Sequence, residues 1–384
     1  LEYEKRFDRV ELSALEVTPQ ELEEGAAQVD PEFTQILREA AENIRAFHAK
    51  QKREGFIMTE REGVVLGQKI TPLARVGIYV PGGTAAYPST VLMNAIPAHI
   101  AGVGEIIMAT PPGRDGKIRP AILAAAKLAG VTRIFKMGGA QAVAALAYGT
   151  KTVPKVDKIV GPGNAYVAEA KRQVFGLVNI DMIAGPSEVL VIADGNSNPA
   201  WVAADLLSQA EHDKMASAVL VTDSRELAQA VSQEIEDQLI KLEREEIARA
   251  SIEANGKIIV ARSLKEAAAV ANRIAPEHLE LSVDNPFDYL GLIENAGSIF
   301  LGRYNPEPMG DYFAGPNHTL PTMGTARFYS PLSVDDFIKK SQFSYYTREA
   351  LERDYRKVSR FAKEEGLTAH ARAVDIRFEK EGEA

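Results

Sequence analysis

The sequence predicts an α/β protein of two Rossmann-like domains, with a helical N-terminal arm and a small C-terminal domain. Three observations carry that expectation. Short β-branched runs (VGIYV, EIIMAT, VTRIFKM, VDKIV, EVLVIA, SAVLVT, KIIVA and SIFL) alternate with Ala/Leu-rich helical stretches, the pattern of a mostly parallel sheet. Val76 to Thr110 and Glu188 to Thr222 each run strand, Gly/Asn/Pro loop, helix, strand, which suits an internal duplication, although any two βαβ units share that outline. With 384 residues, 46% hydrophobic and 25% charged, the chain can bury more than one core.

Taken in order, Pro19 to Glu54 is Ala/Glu/Lys-rich and predicts the helical arm, with Gly55 and Gly63 punctuating the approach to the core. Val76 to Gly104 carries no charged residue, but Pro81, Pro88, Pro97 and the Gly82-Gly83 pair break it into pieces too short to span a membrane. Asn198-Pro199 supplies a helix N-cap followed by Pro at the first helical position. NPEPMGDYFAGPNHTLPT, after Tyr304, is dense in Gly and Pro and reads as a long ordered loop, the kind that carries function. Beyond Ser333 the chain reads as charged helix up to a stop at Gly366, then ends in the apolar-alternating piece AVDIRFE.

Composition narrows the chemistry. A net charge of −9, with no dense Lys/Arg block, argues against nucleic acid and for small-molecule partners. Cysteine is absent, which excludes disulfides, thiolate metal sites and a cysteine nucleophile within this sequence, and fits a reducing cytoplasm. Leu1 to Arg9 mixes charges of both signs and has no apolar run, unlike an export signal.

No GxGxxG follows a predicted strand. Instead VPGGTAAYPS, MGGAQA and GPGNAYV are three Gly-rich turns that each open a helix; they suit either a phosphate at a helix N-terminus or simply a tight βα turn. The six histidines are His48, His99, His212, His278, His318 and His370. In QAEHD, Gln209 and His212 stand three apart near a helix C-terminus and can reach one metal ion, although most such pairs are solvated surface. In IAPEHLELS, Glu277 and His278 follow Pro276, where an imidazole suits general-base work and a carboxylate a second proton, or where a helix simply starts. Asp311 in MGDYFAG and His370 in EEGLTAHA also read as ordinary turn and post-cap residues.

YVPGG, GGAQA, GPGN, AGPSE, QAEHD, APEHLE, GDYFAGPNHTLPT and EEGLTAHA occur in the order and approximate spacing of the histidinol dehydrogenase family, which the chain resembles over nearly its whole length. The resemblance implies zinc, one per subunit, held by Gln209, His212 and Asp311, with His370 supplied by the other subunit of a homodimer. It implies NAD contacts at Tyr79, Gln141 and Asn164. L-histidinol would be surrounded by Ser187, Glu277, His278, Glu365 and the metal ligands, Glu365 also reaching the partner's site. His318 is a neighbour, while His48 and His99 read as structural. The expected division is 1–78 with 188–320 as the zinc and substrate side, 79–187 as the NAD side, and 321–384 as a small helical domain serving the partner. The expected activity is four-electron oxidation of L-histidinol through histidinaldehyde to L-histidine, closing histidine biosynthesis, with His278 as base and Glu277 activating water. A sister dehydrogenase acting on another polar alcohol, such as a sulfonated propanediol, is the near alternative; a zinc hydrolase and a two-lobed binding protein stand further off.

Overall fold

The computed structural model describes residues 1–82 and 86–379; Gly83 to Ala85 of the first Gly-rich turn lie outside the described residues. The chain divides into two compact units, 1–52 with 72–337 and 53–71 with 338–384.

The arm is α1 (Pro19–Ala26) and α2 (Pro31–Ala49), each with Pro in its first turn and capped by a side chain, Thr18 accepting from Glu21 N and Asp30 from Phe33 N. Next come β1 (Phe56–Met58) and β2 (Val64–Pro72), an antiparallel pair that belongs mainly to the second unit.

The first parallel sheet follows. Its strands are β3 (Arg75–Tyr79), β4 (Glu105–Thr110), β5 (Arg133–Lys136), β6 (Lys158–Val160) and β7 (Asn179–Ile180), and its helices are α3 (Pro88–Ala101), α4 (Pro120–Ala129), α5 (Gly139–Tyr148) and α6 (Ala165–Val174). The strand order is β5-β4-β3-β6-β7. The charge-free run from Val76 is explained here: Val76, Ile78, Val91, Met93, Ala95 and Ile96 are sealed into one core, so any charge would be stranded without water.

The second sheet is built from β8 (Glu188–Ala193), β9 (Ser217–Thr222), β10 (Lys257–Val260), β11 (His278–Ser282) and β12 (Ser298–Leu301), with α7 (Pro199–Ala210), α8 (Arg225–Leu239), α9 (Glu245–Asn255) and α10 (Leu264–Ile274). Its order is β10-β9-β8-β11-β12, also parallel throughout. Counted from its own first strand, each sheet runs 3-2-1-4-5, an open parallel α/β arrangement of the kind expected from the alternating pattern.

Several expected boundaries are drawn differently. The arm packs on the first sheet, where Leu37, Ala40, Ala41 and Ile44 of α2 share a core with α3 and α4, and it also reaches the 304–320 loop, Asn43 Nδ2 donating to Phe313 O at 2.8 Å. The division at 78/79 cuts β3, which pairs with β4 from Arg75 to Tyr79. The loop after Tyr304 contains two short helical pieces, α12 (Glu307–Met309) and a π-turn at Gly310–Ala314, after the four-residue helix α11 (Phe287–Leu290).

The second unit is not purely helical. IKKSQFSYY forms β13 (Ile338–Tyr346) beside β2, ahead of α13 (Arg348–Glu364) and α14 (Thr368–Asp375). That strand is exposed along most of its length, so it lacks the alternation that marks a half-buried strand. AVDIRFE (373–379) is helical instead: its Val374 and Phe378 follow Ala371 at helical spacing, and Phe378 stacks on Tyr355 at 4.4 Å.

Candidate active site

β11 lies between β8 and β12, where a parallel strand is normally apolar on both faces. Its sequence HLELS instead puts Leu279 and Leu281 on one face and His278, Glu280 and Ser282 on the other, all buried. α7 meets that polar face. Gln209 Nε2 lies 2.8 Å from His278 Nδ1, and one turn back the Asp205 carboxyl pairs with the Glu280 carboxyl. His278 Nδ1 also lies 3.0 Å from the Glu188 carbonyl oxygen, so this end of the ring is engaged by the protein and Nε2 is its other end.

The loop after β12 closes on that free end. Glu280 Oε1 accepts from Glu307 N at 2.8 Å and so seats α12, which sets Asp311 in the π-turn behind it. Such π-turns recur at functional sites because they displace one residue out of helical register. His278 Nε2 is 3.4 Å from Asp311 Oδ1 and 3.9 Å from Glu307 Oε1. The ligand atoms of His278, Glu307 and Asp311 all lie within 4.8 Å of one another. Beside them, His278 Nε2 and Gln209 Oε1 are buried without a hydrogen-bond partner. The orphaned Gln209 oxygen, an acceptor next to the Asp311 and Glu307 carboxylates in a nitrogen and oxygen donor set with no sulfur, fits a divalent cation such as Zn²⁺.

Burial sets the charges. It pushes the Glu277 carboxyl up to about 7, although the neighbouring His278 charge pulls it down. Burial also raises Glu307, to about 8, helped by Asp311 beside it. For His278 burial acts downward, but Glu277, Asp311 and Glu307 outweigh it and push the imidazole up to about 10. Asp311 resists the upward effect of burial through the close approach of His278 and the nearby His318, and is held well below the usual carboxylate range.

Glu277 is fixed by reciprocal bonds between the starts of two strands: Glu188 N donates to Glu277 Oε2 at 2.9 Å, and Glu277 N to Glu188 Oε2 at 3.3 Å. Its Oε2 lies 3.6 Å from His278 Nδ1. Ser187 immediately precedes Glu188, half-buried. His212 sits just past the end of α7, its pKa lowered by its surroundings against the pull of Asp311, which places the two within electrostatic reach. His318 Nδ1 is 3.0 Å from the Asp311 carbonyl oxygen. His48 is structural as expected, tied to Ile44 O at 2.9 Å and to Asn317 at 3.3 Å. Glu365 and His370 belong to the second unit, at the C-terminal cap of α13 and on α14, both exposed.

A cavity of about 1640 Å³ opens at the carboxyl ends of the first sheet's strands, where α/β sheets bind ligands. Tyr79, Gln141 and Asn164 all line it, one from each region of the three Gly-rich turns. The Tyr79 hydroxyl accepts from Gly139 N at 3.0 Å, tying two of those turns together. Asn164 Oδ1 is committed to capping α6 through Tyr166 N and Val167 N, which leaves its amide NH₂ for a ligand. His278, Glu307 and Asp311 do not line the cavity.

The histidinol dehydrogenase profile matches residues 1–378. The chain is 57% identical over 380 residues to the histidinol dehydrogenase of Listeria monocytogenes serotype 4b (strain F2365), covering 99% of this chain and 89% of that protein. It is 60% identical over 382 residues to that of Geobacter sulfurreducens, covering 98% and 89%. The chain belongs to the histidinol dehydrogenase family. The crystal structure of the Elizabethkingia anophelis histidinol dehydrogenase superposes with a TM-score of 0.94 at 44% identity, covering 98% of this chain and 87% of that one. The putative aldehyde dehydrogenase PutA of Anabaena variabilis, at TM-score 0.51 and 12% identity, shares the fold alone.

As a member of the histidinol dehydrogenase family the chain is an oxidoreductase of the alcohol and aldehyde class. No helix among its described residues is long and apolar enough to cross a membrane. Glu188, Glu307 and the Asp205–Glu280 pair escaped the motif reading. For Glu188 and Glu280 the available signal was a charged residue inside or at the start of a buried strand, EVLVIA and HLELS.

Proposed function

We propose that the chain carries out the zinc-containing, NAD-dependent oxidation of L-histidinol through histidinaldehyde to L-histidine, the last steps of histidine biosynthesis. The observation that carries this is the buried His278, its free Nε2 facing Asp311 and Glu307 beside the orphaned Gln209 oxygen. Gln209, His212 and Asp311 would hold the metal, with His370 of the partner subunit. Tyr79, Gln141 and Asn164 would hold NAD in the cavity of the 79–187 side, and Ser187, Glu277, His278 and Glu365 would contact the substrate. The shared 3-2-1-4-5 order favours an ancestral duplication, with cofactor assigned to one copy and metal to the other.

Zinc, when bound, supplies a template for the substrate's nitrogens and a positive charge that offsets the carboxylates around His278. NAD, when bound, accepts the hydride of each oxidation. The rest falls to the chain. His278, once neutral, takes the hydroxyl proton in the first oxidation. With no cysteine in this sequence to form a thiohemiacetal, water must add to the aldehyde: Glu277 takes a proton from the water while the protonated His278 returns its own to the carbonyl oxygen, which gives a gem-diol and leaves His278 neutral. His278 then takes a hydroxyl proton of the gem-diol as its hydride leaves in the second oxidation.

Purified protein assayed for NADH against L-histidinol, a sulfonated propanediol and simple alcohols tests the reading. NADH with L-histidinol alone is expected. Turnover of the propanediol without histidinol would move the chain to the sister activity, and hydrolysis without NADH would refute both.

A further inference from the structure

Asn164 can serve a ligand only if the GPGN turn beneath it is held still, and that turn is gripped by a buried ion pair. Gly161 N donates to Asp181 Oδ2 at 2.7 Å, and Gly161 O accepts from Lys171 Nζ at 3.0 Å. Lys171, on α6, and Asp181, just after β7, are also bonded to each other, with side chains 2% and 1% exposed. The second Asp181 oxygen accepts from Met182 N at 2.6 Å. Both backbone polar groups of Gly161 are therefore held, by opposite charges.

Gly161 sits against the cavity wall. Gly161 has φ +109°, and a Cβ there would lie 2.2 Å from the Tyr79 carbonyl oxygen, so the turn is pressed onto the end of β3. Three residues later Asn164 caps α6 and lines the cavity, as does Tyr79. A buried ion pair is poor at stabilising a fold, since desolvating two charges can exceed what their attraction returns and apolar replacements of similar volume are often as stable. Its worth is better sought in what it orients.

We propose that Lys171 and Asp181 are positioning residues for dinucleotide binding, holding Gly161 so that Asn164 and Tyr79 keep their place in the cavity wall. This rests on the reading that the cavity takes NAD.

NADH titration followed by fluorescence, without turnover, tests it in full-length wild type, K171M, K171R and the double variant K171M/D181L, alongside melting temperatures and the KM for NAD against kcat with L-histidinol. K171M leaves Asp181 unpaired, so it should melt lower and bind NADH at least about tenfold more weakly, as losses of outer-shell partners do. The double variant buries no charge and should regain melting temperature while its NADH affinity stays weak and the KM for NAD stays high at little-changed kcat. If both stability and affinity return, the pair is only structural and the proposal fails. Should the double variant not fold, K171R decides: it keeps both contacts and should bind NADH more tightly than K171M, and equal weakness overturns the proposal. Wild type that binds no NADH would overturn the reading of the cavity itself, and the proposal with it.

Discussion

Glu277 and His278 are adjacent in sequence yet differently anchored, one by the Glu188 backbone and the other by Gln209 and the Glu188 carbonyl. On the proposed mechanism only His278 serves both oxidations. Glu277→Gln keeps the bond from Glu188 N but cannot take a proton from water, so it should slow histidinaldehyde oxidation by about 10²-fold or more while alcohol oxidation falls far less. His278→Asn should slow both steps with metal content unchanged. Single-turnover kinetics on each half-reaction checks this, and equal loss in both for Glu277→Gln would refute the division of labour. The pairing of Glu277 with His278 was visible in the sequence because a single APEH segment holds it. Glu307 was not, because its approach to His278 depends on how a Gly/Pro loop folds, and no local pattern encodes that.

At the scale of elements, the alternation of strands and helices was readable because buried parallel strands are short β-branched runs. β13 was not readable, since an exposed strand carrying two lysines has no apolar face to report. The polar face of β11 is where local rules were broken, and such breaks mark functional sites. Its Asp205–Glu280 rung yields a pH signature. Burial raises Asp205 to about 6 from 3.8, so between those values the folded chain keeps a proton that the unfolded chain has released. The stabilising contribution is therefore full below pH 3.8 and lost as pH rises through about 6, at no more than about 1.4 kcal/mol per pH unit. Asp205→Asn removes the group. The melting temperature of wild type relative to this variant should fall from pH 4 to pH 6 and level off above, whereas a constant difference would show that Asp205 does not hold its proton in the fold.

For the whole molecule, two sheets of one topology place a cavity at the strand C-termini of the first and a metal-competent cluster at the strand N-termini of the second. Family membership was legible because eight motifs keep their order along the chain, whereas the packing of the arm on the first sheet was not, since amphipathic helices do not name the surface they cover. The proposed sharing of sites in a homodimer predicts complementation. Chains carrying His370→Ala and chains carrying His278→Asn should each be inactive, while co-expressed mixtures recover about a quarter of the wild-type sites, because a mixed dimer holds one intact site. No recovery would mean that each site is built within one chain.

Whether the oxidation is a four-electron, metal-dependent one is decided by counting NADH formed per L-histidinol consumed, before chelation, after it, and after zinc is returned. Two NADH per substrate are expected, lost on chelation and recovered with zinc. One NADH per substrate, or turnover that survives complete removal of metal, would contradict the proposed reaction.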